Sequence, residues 1–250
     1  MSSRLPKIEK HPCYVEPFHV DFTGRIFMGV LGNHLLNAAG NHSQKRGWGI
    51  GALNESHHTW VLSRLSVEMF EMPCQYEHFE IATWVESVIK LFTNRNFAIL
   101  RPDGTPYGYA RSIWAMIDLD TRRPCDLLSL YDGDILNYIV SPEENVCPIA
   151  GHGRFRFRDA QLVRTIDTYY SDVDINGHIN SIKYIEHILD VFPRERFERG
   201  IRRFEIAYKA ESYLGDRLSF YVQPVNEQEF DVEVRKNESE VVCQAKICFN

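Results

Sequence analysis

The stretch from Tyr169 to Pro193 reads YYSDVDINGHINSIKYIEHILDVFP. Ile179, Ile182, Ile185, Leu189 and Phe192 recur at helical spacing, so the segment from about Ile179 to Phe192 predicts an amphipathic helix stopped by Pro193. Just before it, Asp172, Asp174, Asn176, His178 and Asn180 occupy alternate positions. A helix start carries unpaired backbone N–H groups and the positive end of the dipole, which favour an anion or a developing oxyanion. The cluster fits either a turn with an N-cap, where Asp, Asn and Gly serve local hydrogen bonding, or a site. Turn chemistry has no need of His178, which tilts the choice towards a site.

Downstream, Phe204–Ser212, Arg217–Gln223, Phe230–Arg235 and Val241–Phe249 alternate in the manner of half-buried strands, the last two joined by a turn at Lys236-Asn237-Glu238. Upstream, Phe27, Val30, Leu31, Leu35, Ala38 and Ala39 predict a first long helix from Ile26 to about Arg46, closed by Gly47 and Gly49. After a loop at Gly51–His58, strands are expected at Ser63–Met69, Phe79–Lys90, Asn96–Leu100 and Gly108–Leu119, with Pro102-Asp103-Gly104 as a hairpin signal. Residues 1–17 read as a polar lead-in. Asp120–Arg158 reads as a linker with a short helical stretch near Leu127–Tyr138. The expected division is therefore residues 1–150 and residues 151–250. Each half is one long helix followed by an antiparallel meander long enough to wrap it, which predicts an α+β tandem duplication. The repeat is one of pattern, with little residue identity between the halves.

The composition, 44% hydrophobic and 25% charged over 250 residues, is that of a globular chain able to bury a sizeable core without staples. A net charge of −6 and the lack of a basic block argue against nucleic acid as a partner. The first residues, MSSRLPKIEKHPCYVEPF, lack an apolar core of signal-peptide length, and no later run approaches a membrane span, so a cytoplasmic location is expected. The six cysteines are scattered without CxxC spacing and the ten histidines form no HExxH, so neither a metal nor a cofactor is called for.

The run Asp172-Val-Asp-Ile-Asn-Gly-His-Ile-Asn180, followed by Lys183-Tyr184-Ile185 and, a strand later, by Tyr208-Lys-Ala-Glu-Ser212, resembles the acyl-acyl carrier protein thioesterases of plants and bacteria. Trp114-Ala-Met-Ile-Asp-Leu-Asp-Thr-Arg-Arg-Pro124 resembles the end of that family's first domain. The resemblance implies a double hotdog, in which two long helices are each wrapped by an antiparallel sheet. It also implies hydrolysis of fatty acyl carrier-protein thioesters in fatty acid biosynthesis, without a cofactor. An acyl-CoA thioesterase, an enoyl-thioester hydratase and a non-catalytic acyl-thioester binder are the competing functions, and the pairing of Asn176 with Glu211 argues for hydrolysis.

Carried over residue by residue, the resemblance implicates Asp174, Asn176, His178 and Glu211. Glu211 would act as general base on a water, His178 would share the proton or bond the substrate, Asn176 would donate to the carbonyl, and Asp174 would orient His178. Asn180 reads as a cap or an outer contact to substrate. Strict alternation sets Glu211 with Glu205 and Lys209 on a solvent face, unless a bulge near Ala210 re-aims it or that face lines a cleft. Many plant members carry cysteine where this chain has Ser212, so a Cys–His mechanism has no nucleophile there, and water attack is simpler than attack by serine. The acyl pocket is expected in the first half, with Met69, Phe70 and Met72 as lining or as plain core. An acidic carrier protein calls for local basic groups, for which Arg194, Arg196, Arg199, Arg202 and Arg203 are candidates, although interleaved glutamates also fit a solvated turn. A homodimer is compatible with this arrangement.

Overall fold

In the computed structural model, which describes residues 5–129 and 131–250, the alternation around Ser63–Met69 extends into strand β2 (His58–Met69). It is followed by β3 (His78–Ile89), β4 (Phe92–Leu100) and β5 (Pro106–Asp118). At the Pro102-Asp103-Gly104 turn, the Thr105 N–H and hydroxyl both donate to Asp103 Oδ1 (2.9 and 2.7 Å), and Gly104 adopts a φ of +87° that favours glycine. The second half supplies β7 (Ile201–Tyr208), β8 (Arg217–Pro224), β9 (Glu229–Lys236) and β10 (Glu240–Phe249).

Two further strands were not expected. Residues read as a polar lead-in form β1 (Glu9–Tyr14), paired with β3, and β6 (Gln161–Asp167) pairs with β8. Both are edge strands. β1 carries Lys10 and Pro12 and β6 is mostly exposed, so neither needs the apolar alternation that reveals a buried strand. The loop expected at Gly51–His58 instead contains a short helix, α2 (Ile50–Glu55).

All ten strands form one sheet in the order β1-β3-β4-β5-β2-β7-β10-β9-β8-β6. The order reads alike from both ends, and the seam is the antiparallel pair β2–β7, with Arg64 opposite Ala207 and Glu68 opposite Arg203. The helices lie against the sheet: α1 (Met28–Lys45) in the first half and α3 (Ser181–Leu189) in the second, the latter followed after Pro193 by α4 (Arg194–Arg199). Each sheet segment wraps its helix, and one continuous apolar core runs through both halves. This is the α+β double hotdog.

α1 and α3 meet at Gly32, where an added Cβ would stand 3.1 Å from Ile182 Cδ1 and 3.3 Å from Ile185 Cδ1. Substituting Gly32 with leucine should cost at least about 1–3 kcal/mol by overpacking this crossing, visible as a lower urea midpoint with an unchanged slope.

The halves repeat more closely than their sequences suggest. A 3₁₀ turn at Pro17–His19 precedes α1 and another at Tyr170–Asp172 precedes α3. Between turn and helix, Val20 pairs with Ile26 as Val173 pairs with Ile179. Asp21 thus corresponds to Asp174, Gly24 to Gly177 and Arg25 to His178.

Candidate active site

The Asp174–His178 turn is built by its own carboxylate. Asp174 Oδ1 accepts from the Asn176 N–H at 2.8 Å and the His178 N–H at 3.3 Å, and the Asp174 N–H donates to the His178 carbonyl at 2.8 Å. Gly177 takes a φ of +80° in the middle of the turn. Asp174 therefore fixes His178 through the backbone and does not touch its imidazole. Asn180 is the N-cap of α3: its Oδ1 accepts from Ile182 N–H at 2.9 Å, and its carbonyl accepts from Lys183 N–H at 2.9 Å. Two first-turn donors are thereby used. The exposed Asn176 side chain makes no hydrogen bond among the described residues, which leaves its amide free to donate.

Glu211 reaches this turn because β7 ends in a bulge. The N–H groups of Lys209 and Ala210 both donate to the Val242 carbonyl (2.8 and 3.2 Å), so two residues face one and the alternation breaks. Its carboxylate then meets His178 Nδ1 at 3.3 Å and accepts from the Tyr213 hydroxyl at 3.3 Å. It also pairs with Arg122, which crosses from the turn after β5. Tyr213 stacks edge-on against the His178 ring with centroids 5.2 Å apart, and Lys236 Nζ donates to the Glu211 carbonyl at 3.1 Å. Asp174, Asn176, His178 and Glu211 are thus gathered on one turn and the strand end beside it. Ser212 is fully buried, and its Oγ faces the buried Tyr184 hydroxyl.

Arg122, Tyr213 and Lys236 escape a sequence reading, since each reaches the site across the fold with no spacing to mark it. So does a buried pair behind the turn. Asp172 Oδ1 accepts from His187 Nε2 at 2.8 Å while its other oxygen accepts from the Tyr169 N–H, tying the turn to α3. Among the described residues, no group of three or more His, Cys, Asp or Glu is placed to hold a metal ion.

Asp174, Asn180 and Ile182 form one end of a cavity of about 370 Å³ whose other walls come from the first half: Leu36, Trp60, Leu62, Trp114 and Ile135. Arg95 and Thr93 give it a polar patch. Burial, with the charge of Arg46 adding to it, pulls the Arg95 guanidinium down to about 9, which leaves it protonated at neutral pH. It bonds Thr83 Oγ1, Ser43 Oγ and His42 Nδ1 at 3.2–3.4 Å. Burial, reinforced by Arg95 and Arg46, takes His42 down to about 3, so this histidine is neutral and can accept.

None of the three residues expected to line the acyl pocket borders this cavity. Met69 is core on β2, Phe70 is exposed against Tyr109, and Met72 lines a second cavity. The candidate docking arginines do not gather at Glu211. Arg194 stacks over Phe22, and Arg196 stacks over Phe230 while donating to the Glu227 carbonyl. Arg199 and Arg202 are exposed. Arg203 cannot dock a carrier: it is 9% exposed, pairs with Glu68 and Glu205, and donates to the carbonyls of Ala150 and Gly151.

Comparison with known proteins bears on both halves. Residues 10–131 match the acyl-ACP thioesterase N-terminal domain, and residues 157–250 match the acyl-ACP thioesterase C-terminal domain. The crystal structure of an acyl-ACP thioesterase from Bacteroides thetaiotaomicron is 56% identical, covers 98% of each chain and superposes with a TM-score of 0.91. The 12:0-ACP thioesterase from Umbellularia californica, 18% identical over 99% of each chain with a TM-score of 0.85, shares the fold. A chloroplastic oleoyl-acyl carrier protein thioesterase from Coriandrum sativum is 24% identical over 233 residues, 86% of this chain, and the match spans 62% of the coriander protein's own length. Matched in order by both domains of one family across most of its length, the chain belongs to the acyl-ACP thioesterases.

Proposed function

We propose that the chain hydrolyses fatty acyl thioesters of acyl carrier protein to a free fatty acid and the holo-carrier. The observation that carries this is the convergence of Glu211, His178 and the unpartnered Asn176 amide on a turn that also forms the end of a cavity with apolar walls and a polar patch. The acyl chain occupies that cavity, so residues 1–150 supply most of the pocket and residues 151–250 the polar groups. Glu211 takes a proton from water as its oxygen bonds to the carbonyl carbon, and the Asn176 amide steadies the oxyanion. The C–S bond then breaks, and the proton returns to the leaving thiolate through Glu211 or His178. Asp174 is a positioning residue, and Arg122 and Tyr213 hold the Glu211 carboxylate towards the imidazole. The carrier's acidic surface meets Arg122 and Arg123, beside the exposed Ile175 and Leu214, in preference to the arginines of 194–203. All six cysteines are free, which supports a reducing compartment such as the cytoplasm.

Release of free thiol from a chain-length panel of carrier-protein and CoA thioesters tests the proposal. Faster turnover of carrier-protein esters is expected. A preference for CoA esters would reassign the carrier, and acyl binding without turnover would make the chain a binder. Substituting Ser212 with alanine removes a buried hydroxyl that faces the buried Tyr184 hydroxyl, so turnover should stay within about twofold and stability should fall by no more than about 1–2 kcal/mol. Loss of activity with a trapped acyl-enzyme in wild type would instead make Ser212 the nucleophile.

A further inference from the structure

The first half holds a counterpart of the catalytic turn with its chemistry replaced. Thr23 N–H donates to Asp21 Oδ1 at 2.7 Å as Asn176 N–H does to Asp174 at 2.8 Å. Asp21 N–H donates to the Arg25 carbonyl at 2.8 Å, as Asp174 N–H does to that of His178. Gly24 and Gly177 share a φ near +80°. Ile26 N–H bonds the Pro73 carbonyl at 2.9 Å as Ile179 N–H bonds that of Ser212 at 2.8 Å, and even the bulge recurs, with Phe70 and Glu71 both donating to Tyr107. In this frame Thr23 stands for Asn176, Arg25 for His178 and Met72 for Glu211. No base remains to activate water.

A cavity remains, and it is the larger of the two at about 650 Å³. Its walls repeat those beside the catalytic turn: Asp21 for Asp174, Phe27 for Asn180, Met28 for Ser181, and on the facing helix Leu189 for Leu36. Phe22, Val30, Met72 and Phe192 make it chiefly apolar, and Arg25 brings a cation. The half-buried Arg25 guanidinium has long 3.4 Å contacts to the carbonyls of Phe197 and Glu198 and no carboxylate within ion-pair distance among the described residues. The carboxylates around the cavity are committed elsewhere. Asp21 holds the Thr23 N–H and hydroxyl, Glu186 pairs with Lys183 at 2.7 Å, and Asp190 lies 3.5 Å from Arg164. Arg194 sits over the Phe22 ring at 4.3 Å, only 3.9 Å from Glu198 in a loose contact. An apolar hollow with an unneutralised guanidinium complements an amphiphile with one anionic end.

We infer that this cavity is a non-hydrolytic binding site for a free fatty carboxylate, its head group on Arg25 and Arg194 and its chain between the first-half turn and the end of α3. The site does not depend on turnover at Glu211, so its test is separable from that of the proposed activity. The full chain is photolabelled with a diazirine-bearing dodecanoic acid, and adducts are mapped by peptide mass spectrometry. Adducts are expected on residues 186–201 and 22–30, in addition to any on residues 33–43 and Trp114 of the other cavity. Arg25→Gln should lower labelling of 186–201 about tenfold, Arg25→Lys should retain most of it, and Val30→Trp should abolish it by filling the space. An unchanged thermal melt serves as the folding control for each variant. Adducts confined to the other cavity would overturn the inference. So would equal labelling of 186–201 by the matching diazirine alcohol, or loss of labelling that tracks self-association of the chain.

Discussion

On the proposed mechanism, replacing Glu211 with glutamine should lower kcat for acyl thioester hydrolysis by about 10²–10⁴-fold, because an amide would not take the proton from water. The side chain is 36% exposed, and its partners Arg122, Tyr213 and His178 lie at the surface of the turn, so the loss comes without unfolding. His178→Ala should fall in the same direction, since the 3.3 Å contact of Nδ1 with Glu211 couples the two groups. The double variant is then expected to lose little more than the worse single one, the mark of residues acting as a unit. Stopped-flow or thiol-release kinetics with matched thermal melts separates this from a packing defect. Unchanged kcat in Glu211→Gln would remove it from the chemistry.

The second large effect concerns stability. Arg203 lies at the β2–β7 seam beneath the segment around Gly151, bonded to Glu68 across the seam and to Glu205 on its own strand. Glu205 in turn accepts from the Gly153 N–H at 2.7 Å. Removing one member of such a cluster leaves buried charge without its partner, which costs about 3–5 kcal/mol. Arg203→Ala should therefore lower Tm by roughly 10 °C. Arg202→Ala, beside it but exposed, should change Tm hardly at all. If Arg203 served a carrier instead, its loss would raise KM and leave Tm alone.

These two residues also show what a sequence can and cannot disclose. Helix starts and the site turn are legible because each is local, an apolar period or a run of turn formers, whereas the helix expected to run to Phe192 ends at Leu189, and Pro193 precedes α4 instead. Arg203 reads in the sequence as part of a surface cluster because its burial is set by strands and a connector far apart in the chain. The direction of Glu211 was the hardest to see. Alternation along β7 predicts a solvent face unless a bulge near Ala210 intervenes, and the shared acceptor Val242, on another strand, supplies that bulge. β1 and β6 stayed hidden for the opposite reason, since edge strands tolerate Pro12, Lys10 and the polar residues of 161–167 without any periodic signal. The kinship of the two halves survives in backbone geometry at Asp21 and Asp174 after most side chains around them have diverged.

The seam has a further consequence for how the molecule is made. β2 is made well before β7, the strand that satisfies its outer edge. During elongation that edge stands open for on the order of 10 s, with Leu65 and Val67 beside its unpaired backbone. Until β7 is made, a nascent first half offers that open edge to another nascent first half. Expression with stalled or truncated second halves should consequently yield paired or aggregated first halves rather than soluble single ones.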